Sequence, residues 1–170
     1  SMSIGAAYQQ LLGDKKEAKV LDLCAAPGGK STDLLNEMRA DSLLVTNEII
    51  RSRYQILRHN VAKWGAANVA ISNHDSTPFG NLNSFFDMVV VDAPCSGEGL
   101  FRKHPNATKE WSLKQVVSCA KRTQTILEEV LNCVKPGGYL LFSTCTYNEQ
   151  ENKSSVEFIL KNSDFQLIEI

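Results

Sequence analysis

Two cysteines stand at the ends of apolar runs, where a thiol could do chemistry. Cys95 lies in VVVDAPCSGEG, after a valine run that ends in Asp92, and Cys145 lies in LLFSTCTY, after a second apolar run. An inert cysteine packs as a small hydrophobic side chain, whereas a cysteine at a strand end beside an acid and a glycine turn is a candidate nucleophile. The pattern predicts thiol chemistry, and it leaves open which of the two sulfurs attacks.

The other cysteines, Cys24, Cys119 and Cys133, bring the total to five, an odd number. No pair has CxxC spacing, which argues against a disulfide framework or a zinc site, so we predict no metal and a reducing, cytoplasmic location. Cys119 and Cys133 lie in a long helical pattern and are expected to be packing residues. The sequence has neither a long apolar run nor a secretory signal, so we expect no membrane association.

A glycine-containing loop, LDLCAAPGGKS, follows the first apolar run and precedes a helical pattern. Its spacing fits neither GxGxxG nor a P-loop, which argues against a diphosphate cofactor. Glu48 could accept hydrogen bonds from ribose hydroxyls, and Asp75 from an adenine amino group, which indicates S-adenosylmethionine (SAM). The alternative is that both acids are solvated turn residues. The predicted cofactor-binding set is Cys24, which lines the site without a chemical role, Ala25, Ala26, Pro27, Gly28, Gly29, Lys30, Glu48, Asp75 and Asp92.

The apolar runs alternate with helical patterns, which places both cysteines at strand ends. We predict strands over 19–24, 42–48, 68–72, 85–92, 139–144 and 165–170, and helices over SIGAAYQQLL, 31–38, 51–64, 113–134 and 148–161. This rhythm predicts an α/β fold with a mostly parallel twisted sheet and helices on both faces. Ligands of such sheets bind at the carboxyl ends of the strands, so the cofactor loop and both cysteines should converge on one edge.

Three motifs carry a family resemblance: DLCAAPGGKS, DAPCSGEGLFRKHP and FSTCTYNEQEN. They resemble the signature motifs of the RNA cytosine-carbon-5 methyltransferases, which include bacterial small-subunit ribosomal RNA enzymes and the eukaryotic NOL1/NOP2/Sun proteins. The match runs from about Lys19 to Asn152, and GEGLFRKHP followed by Trp111 looks closer to the bacterial ribosomal RNA members. The resemblance implies a Rossmann-like SAM-dependent methyltransferase fold. We expect residues 1–170 to form one catalytic domain, cut from a longer protein.

The resemblance also implies a role for each motif residue. In this chemistry a thiolate adds to carbon 6 of cytosine, carbon 5 then accepts a methyl group, and the adduct is undone. Cys145 matches the attacking cysteine, and Cys95 matches the cysteine that assists product release. Asp92 matches the acid that holds the base at N3 and its amino group, and Lys30 matches the lysine that orders the site.

The segment from 97 to 111 has no clear periodicity and is a candidate RNA contact. It combines cations with aromatic rings, which suit phosphate contact and base stacking; these are Phe101, Arg102, Lys103, His104, Lys109 and Trp111. The net charge of −1 excludes a uniformly basic surface, so RNA must bind through a local patch. The cations of the helix over 51–64 are expected to face solvent; they are Arg51, Arg53, Arg58 and Lys63.

These observations predict a monomeric, SAM-dependent enzyme that forms 5-methylcytosine in RNA, with ribosomal RNA as the substrate and transfer RNA as an alternative. A second hypothesis is a non-catalytic ribosome-assembly scaffold that keeps the fold and binds SAM and RNA. A third is an exocyclic-amine methyltransferase, which would have an Asp/Asn-Pro-Pro-aromatic strand end and no thiol. The DAPC and STC motifs disfavour the third hypothesis.

Overall fold

A five-stranded parallel sheet forms the centre of the protein in a computed structural model, which describes residues 2–104 and 106–170. The strand order is β3-β2-β1-β4-β5, and every neighbouring pair runs parallel. The strands are β1 (Lys19–Asp22), β2 (Leu43–Asn47), β3 (Val69–Ser72), β4 (Phe86–Asp92) and β5 (Val134–Ser143). The predicted parallel sheet and the α/β class are confirmed.

Helices cover both faces of the sheet. They are α1 (Met2–Leu12), α2 (Gly29–Glu37), α3 (Arg51–Trp64), α4 (Thr77–Gly80), α5 (Ala107–Glu110), α6 (Leu113–Val130) and α7 (Lys153–Lys161), with short 3-10 turns at Glu98–Leu100 and Leu131–Cys133. One core cluster joins α1, α2 and α3 to one face of the sheet, and a second joins α4 and α6 to the other face. The helices therefore enclose the sheet as the sequence predicts.

Strand β4 shows how the two faces divide its side chains. Met88 and Val90 pack into the first cluster, whereas Val89 and Val91 pack into the second. All four are completely buried, because successive side chains of a strand point to opposite faces and both faces are covered. The chain order also reverses beside β1, which lies between β2 and β4. A crevice at the carboxyl ends of these strands is the expected ligand site of such a sheet.

Two predicted helices have other bounds in the structure, and one predicted strand is wrong. The helix predicted over 113–134 ends at Val130 in a 3-10 turn. The helix predicted over 148–161 begins only at Lys153, because the side chains of residues 144–152 bond to one another and to nearby backbone groups. The strand predicted over 165–170 does not form; Phe165 packs against the core while Leu167, Ile168 and Ile170 are exposed.

Strand β5 also begins earlier than predicted, at Val134. Lys135-Pro136-Gly137-Gly138 is a turn-like sequence, but the chain continues through it beside β4 with a register shift between Phe86 and Met88. Gly137 has φ +74°, and a side chain on Gly138 would lie 2.9 Å from the Asp87 carbonyl oxygen. Glycine and proline in a strand mark such irregularities. Among the described residues no helix combines the length and apolar character needed to cross a membrane.

Candidate active site

Two cysteine loops and the glycine loop leave the sheet at neighbouring strand ends. The glycine loop follows β1, the Cys95 loop follows β4 and the Cys145 loop follows β5. Asp92 pairs with Ser143 in the sheet, and the Ala93 amide donates to the Ser143 carbonyl oxygen at 2.8 Å, so the last two loops start side by side. The parallel register thus brings together segments that are 50 residues apart in sequence.

The sulfur atoms of the two cysteines lie in direct contact. Cys95 Sγ and Cys145 Sγ lie 3.0 Å apart, and the Cys145 amide donates to Cys95 Sγ at 3.3 Å. Cys145 is exposed and Cys95 is half-buried. Burial, and then the hydrogen bond with Cys145, raise the pKa of Cys95 to about 12. Cys95 therefore holds its proton at neutral pH and can donate it in a hydrogen bond to the exposed Cys145 sulfur.

A lysine–aspartate pair stands beside the cysteines. Lys30 Nζ donates to Asp92 Oδ2 at 2.6 Å, and Ser143 Oγ donates to Asp92 Oδ1 at 2.7 Å. Lys30 lies in the first turn of α2, and Asp92 is the last residue of β4. Both side chains are partly exposed, at 25% and 34%. Because each carboxylate oxygen has a second lone pair, Asp92 can still accept a hydrogen bond from a ligand that enters the crevice.

The glycine loop leaves room for a ligand to approach the backbone. Gly28 has φ +109°, a conformation that favours glycine, and a side chain there would lie 3.1 Å from Leu57 Cδ1. A side chain on Gly29 would meet nothing within 4 Å. Asn60 Nδ2 donates to the Pro27 carbonyl oxygen at 2.8 Å and so ties the loop to α3. The glycine loop is therefore fixed to α3 at Pro27 and leaves open space beside Gly29.

Glu48 is buried and has bonding capacity to spare. It is 2% exposed, and Oε1 accepts from the Ile50 amide at 2.9 Å. Oε2 accepts no hydrogen bond from the described residues, although Arg53 Nη1 lies 3.4 Å away. A buried carboxylate oxygen without a donor fits the hydroxyl groups of a ribose. Arg53 also donates to the Ala26 carbonyl oxygen at 2.7 Å, so its half-exposed side chain reaches the glycine loop as well as solvent.

Asp75 lies on the exposed surface after β3. Its Oδ1 accepts a hydrogen bond from the Thr77 amide at 3.1 Å, at the start of α4. The loop that carries it is fastened to Asn47 in β2, whose Oδ1 accepts from the His74 amide at 3.0 Å and whose Nδ2 donates to the His74 carbonyl oxygen, also at 3.0 Å. The exposed Asp75 side chain can therefore also accept a hydrogen bond from a ligand.

Sequence reasoning overlooked Asp22, which ends β1 immediately before the glycine loop. Asp22 is completely buried, Oδ2 accepts from Ser31 Oγ at 2.6 Å, and Oδ1 has no hydrogen-bond partner among the described residues. Burial raises the pKa of Asp22 to about 6, although the Ser31 hydrogen bond and the charge of Lys30 oppose the rise. An acid at the end of an apolar strand was the available signal.

The other cysteines lie outside this pair. Cys119 and Cys133 are buried, as predicted, and burial raises the pKa of Cys24 to about 12. Cys24 is next to the glycine loop and packs at the border of the second core cluster. The part of the chain that the structure describes contains no group of three or more His, Cys, Asp or Glu side chains that could hold a metal ion.

The predicted RNA segment is more ordered than a loop. It holds the 3-10 turn Glu98–Leu100 and helix α5. Glu98 Oε1 accepts from Trp111 Nε1 and Oε2 accepts from the Tyr147 amide, both at 3.1 Å. The Gly99 amide donates to the Cys145 carbonyl oxygen at 2.8 Å. The segment is therefore fastened directly to the Cys145 loop, and the Tyr147 side chain beside it is 82% exposed.

A family model described as 16S rRNA methyltransferase RsmB/F matches residues 9–170. The Ribosomal RNA small subunit methyltransferase F of Vibrio vulnificus (strain YJ016) is 42% identical over 143 residues, which cover 84% of this chain and 30% of the relative. The protein of the same name from Shewanella oneidensis is 43% identical over 141 residues, which cover 82% of this chain and 30% of the relative. The match thus spans less than a third of the length of these curated relatives.

A solved structure shares the fold. The crystal structure of a methyltransferase homolog protein from Pyrococcus horikoshii is 32% identical, covers 96% of this chain and 50% of that chain, and superposes with a TM-score of 0.77. The predicted Rossmann-like methyltransferase architecture is confirmed by this likeness together with the parallel sheet.

Proposed function

The chain belongs to the 16S rRNA methyltransferase RsmB/F family, and from this premise we propose that it forms 5-methylcytosine in ribosomal RNA through a covalent bond between Cys145 and the base. The observation that carries the proposal is the 3.0 Å approach of the two cysteine sulfurs at the carboxyl end of the sheet. A scaffold without catalytic activity has no need of an exposed thiol held against a protonated one.

SAM fits the residues around the glycine loop. Glu48, whose buried Oε2 accepts no hydrogen bond from the described residues, would hold the ribose hydroxyls, and the open backbone at Gly29 would face the ligand. Asp75 would meet the adenine from the solvent side. SAM, when bound, supplies the methyl group that carbon 5 of the cytosine receives. The negative charges of Asp22 and Asp92 on neighbouring strand ends suit a cofactor that carries positive charge.

We assign the role of nucleophile to Cys145, and its exposure, greater than that of Cys95, supports the assignment. Its thiol would lose a proton to solvent, and the thiolate would form a bond to carbon 6 of the cytosine. The electron pair of the carbon 5–carbon 6 double bond would then shift toward carbon 5 and N3, so that carbon 5 can attack the methyl group. After methylation, the proton on carbon 5 passes to solvent, the bond between sulfur and carbon 6 breaks, and the double bond returns. Cys95 keeps its own proton, since its pKa is raised to about 12. The S–H group of Cys95 would stabilise the Cys145 thiolate, both before it adds to carbon 6 and after it is released.

Lys30 and Asp92 hold the polar edge of the base. Asp92 would accept from the cytosine amino group, and Lys30, which donates to Asp92 at 2.6 Å, would supply a proton to N3 as N3 gains electron density during addition. Ser143 fixes the orientation of the carboxylate through its 2.7 Å hydrogen bond. The three side chains thus orient the base so that carbon 6 faces Cys145, and they compensate the charge that the thiolate brings into the ring.

RNA would approach along the segment fastened to the Cys145 loop. Arg102 and Lys103 follow the 3-10 turn that contacts Cys145, and Tyr147 offers an exposed ring two residues beyond the nucleophile. Cations suit the phosphates and an exposed ring suits an unstacked base. The target cytosine must leave its helix to reach the sulfur. Transfer RNA would meet the same surface, and a direct comparison of substrates separates the two.

The test is transfer of a radiolabelled methyl group from SAM to 16S ribosomal RNA and to transfer RNA, with the product nucleoside identified by chromatography. We expect 5-methylcytidine in ribosomal RNA. Cys145→Ala should abolish transfer, whereas Cys95→Ala should accumulate protein–RNA adduct because release is impaired. Cys133→Ala removes a cysteine of the second core cluster, outside the sulfur pair, and should be active. Methylation by Cys145→Ala would refute the assignment of the nucleophile, and SAM binding without transfer by the wild type would favour the scaffold.

A further inference from the structure

Glu151 is a buried acid to which the motifs assign no role. It lies just before α7 and is 1% exposed. Its Oε1 accepts from the Ser96 amide at 2.8 Å, and its Oε2 accepts from Ser96 Oγ at 2.5 Å. Among the described residues no Lys, Arg or His forms an ion pair with it. Removing a carboxylate from water is costly, so two short hydrogen bonds to a single residue must offset the burial.

Glu151 binds Ser96, the residue that directly follows Cys95. Ser96 directly follows Cys95, and Ser96 Oγ lies 3.1 Å from Thr146 Oγ1. Thr146 directly follows Cys145. One carboxylate therefore fixes the backbone and the hydroxyl of the residue after Cys95, and that hydroxyl contacts the residue after Cys145. All three side chains in this chain of contacts are buried.

The next residue along the chain strengthens the same loop. Asn152 Oδ1 accepts from Thr144 Oγ1 at 2.6 Å, and Asn152 Nδ2 donates to the Thr146 carbonyl oxygen at 3.0 Å. These bonds hold the Cys145 loop against the start of α7 but do not reach the Cys95 loop. The two Glu151–Ser96 contacts extend this network to the Cys95 side, where they add to the direct links between the loops, from the Gly99 amide to the Cys145 carbonyl oxygen and from Ser96 Oγ to Thr146 Oγ1.

We propose that Glu151 is a positioning residue that holds the Cys95 and Cys145 loops in register, so that the two sulfurs meet. The consequence for catalysis rests on the proposed function, but the geometric consequence does not. Loss of the carboxylate removes two of the hydrogen bonds of Ser96 and leaves its contact with Thr146, so the Cys95 loop is held less firmly relative to Cys145. A displacement of about 1 Å at a reacting group can lower a rate by roughly 100-fold.

A matched series of variants separates positioning from general stability. In Glu151→Gln, the amide oxygen can accept from the Ser96 amide and the NH2 group can donate to Ser96 Oγ, whose proton then turns to Thr146 Oγ1. This variant should retain the arrangement. Glu151→Ala loses both contacts. Glu149→Ala removes an exposed carboxylate from the same segment and serves as the control.

The first measurement is the rate at which diamide links the two cysteines, followed by mass spectrometry of the Cys95–Cys145 peptide pair. Two thiols lose two protons and two electrons to form the disulfide, and diamide takes them up to become the hydrazine. We expect Glu151→Ala to slow this linkage by roughly tenfold or more, with Glu151→Gln and Glu149→Ala close to wild type. If circular dichroism shows Glu151→Ala unfolded, Ser96→Ala replaces it, because the lost hydroxyl breaks the path to Thr146.

The second measurement is methyl transfer by the same proteins. We expect kcat to fall by roughly 10- to 100-fold in Glu151→Ala while the KM for SAM is unchanged, with kcat recovered in Glu151→Gln. Wild-type linkage rates and kcat in a folded Glu151→Ala, or in Ser96→Ala if that variant replaces it, would overturn the inference. A wild-type protein that links its cysteines readily but methylates no RNA would refute the proposed function and leave the positioning role intact.

Discussion

We expect the free energy of unfolding to depend on pH because of the buried carboxyl group of Asp22. Burial raises the pKa of this carboxyl from its ordinary value of 3.8 to about 6, against the opposing Ser31 hydrogen bond and Lys30 charge. Between these pH values the unfolded chain releases the proton while the folded protein keeps it. The contribution of Asp22 to the free energy of unfolding is therefore fully present below pH 3.8 and is lost as pH rises to about 6.

The size of the effect follows from the two pKa values. A tenfold difference in proton affinity is worth about 1.4 kcal/mol, so a rise from 3.8 to about 6 corresponds to about 3 kcal/mol. Asp22→Asn carries no ionisable group, and its amide oxygen can still accept from Ser31. The stability of Asp22→Asn relative to the wild type should therefore increase by about 3 kcal/mol between pH 3.5 and pH 7.

Urea denaturation of both proteins at several pH values measures this difference. Asp87→Asn is the control, because there the hydrogen bond and charge of Lys135, with the Lys19 amide and Lys15, outweigh burial and lower the pKa. Its stability relative to wild type should fall, not rise, as pH increases through the acidic range. A difference between wild type and Asp22→Asn that stays constant with pH would refute the reasoning.

Three further perturbations test other parts of the site. Gly99→Ala would place a methyl group 2.8 Å from the Cys145 carbonyl oxygen, so the backbone must shift; methyl transfer should slow while calorimetry finds SAM affinity unchanged, and full activity would contradict the close approach. Glu48→Ala removes the buried acceptor of the ribose hydroxyls, and SAM affinity should fall by about tenfold or more; unchanged affinity would remove Glu48 from the cofactor site. Iodoacetamide should alkylate exposed Cys145 before Cys24 and Cys133, because burial raises the pKa of each of those two thiols to about 12. Peptide mapping that finds Cys133 modified first would contradict the burial pattern.

The convergence of the cysteines was predictable because it depends on strand ends alone. Each sulfur follows an apolar run by a few residues, and parallel strands bring their carboxyl ends to one edge. The pairing of Asp92 with Ser143 supplies the register. A prediction from sequence therefore placed Cys95 and Cys145 near each other, although the 3.0 Å contact required the coordinates.

Other features depend on contacts that no local pattern encodes. In the sequence Glu151 is one more polar residue of NEQEN. Its burial depends on the contact with Ser96 in the Cys95 loop, which is distant in sequence. Residues 165–170 have the composition of a strand, but β5 pairs with β4 and no described strand pairs on its other side. Gly137 and Gly138 read as a turn, whereas they permit β5 to continue past an irregularity beside Asp87. In each case the deciding partner lies far away in sequence.

The most direct test of the account is the identity of the sulfur that joins the base. Ribosomal RNA in which the target carries 5-fluorocytidine has no proton to lose from carbon 5 after methyl transfer, so the adduct cannot be undone. Digestion of the trapped complex and mass spectrometry should find the nucleotide on the peptide that contains Cys145. A nucleotide attached to Cys95, or methylation without any covalent complex, would contradict the mechanism proposed here.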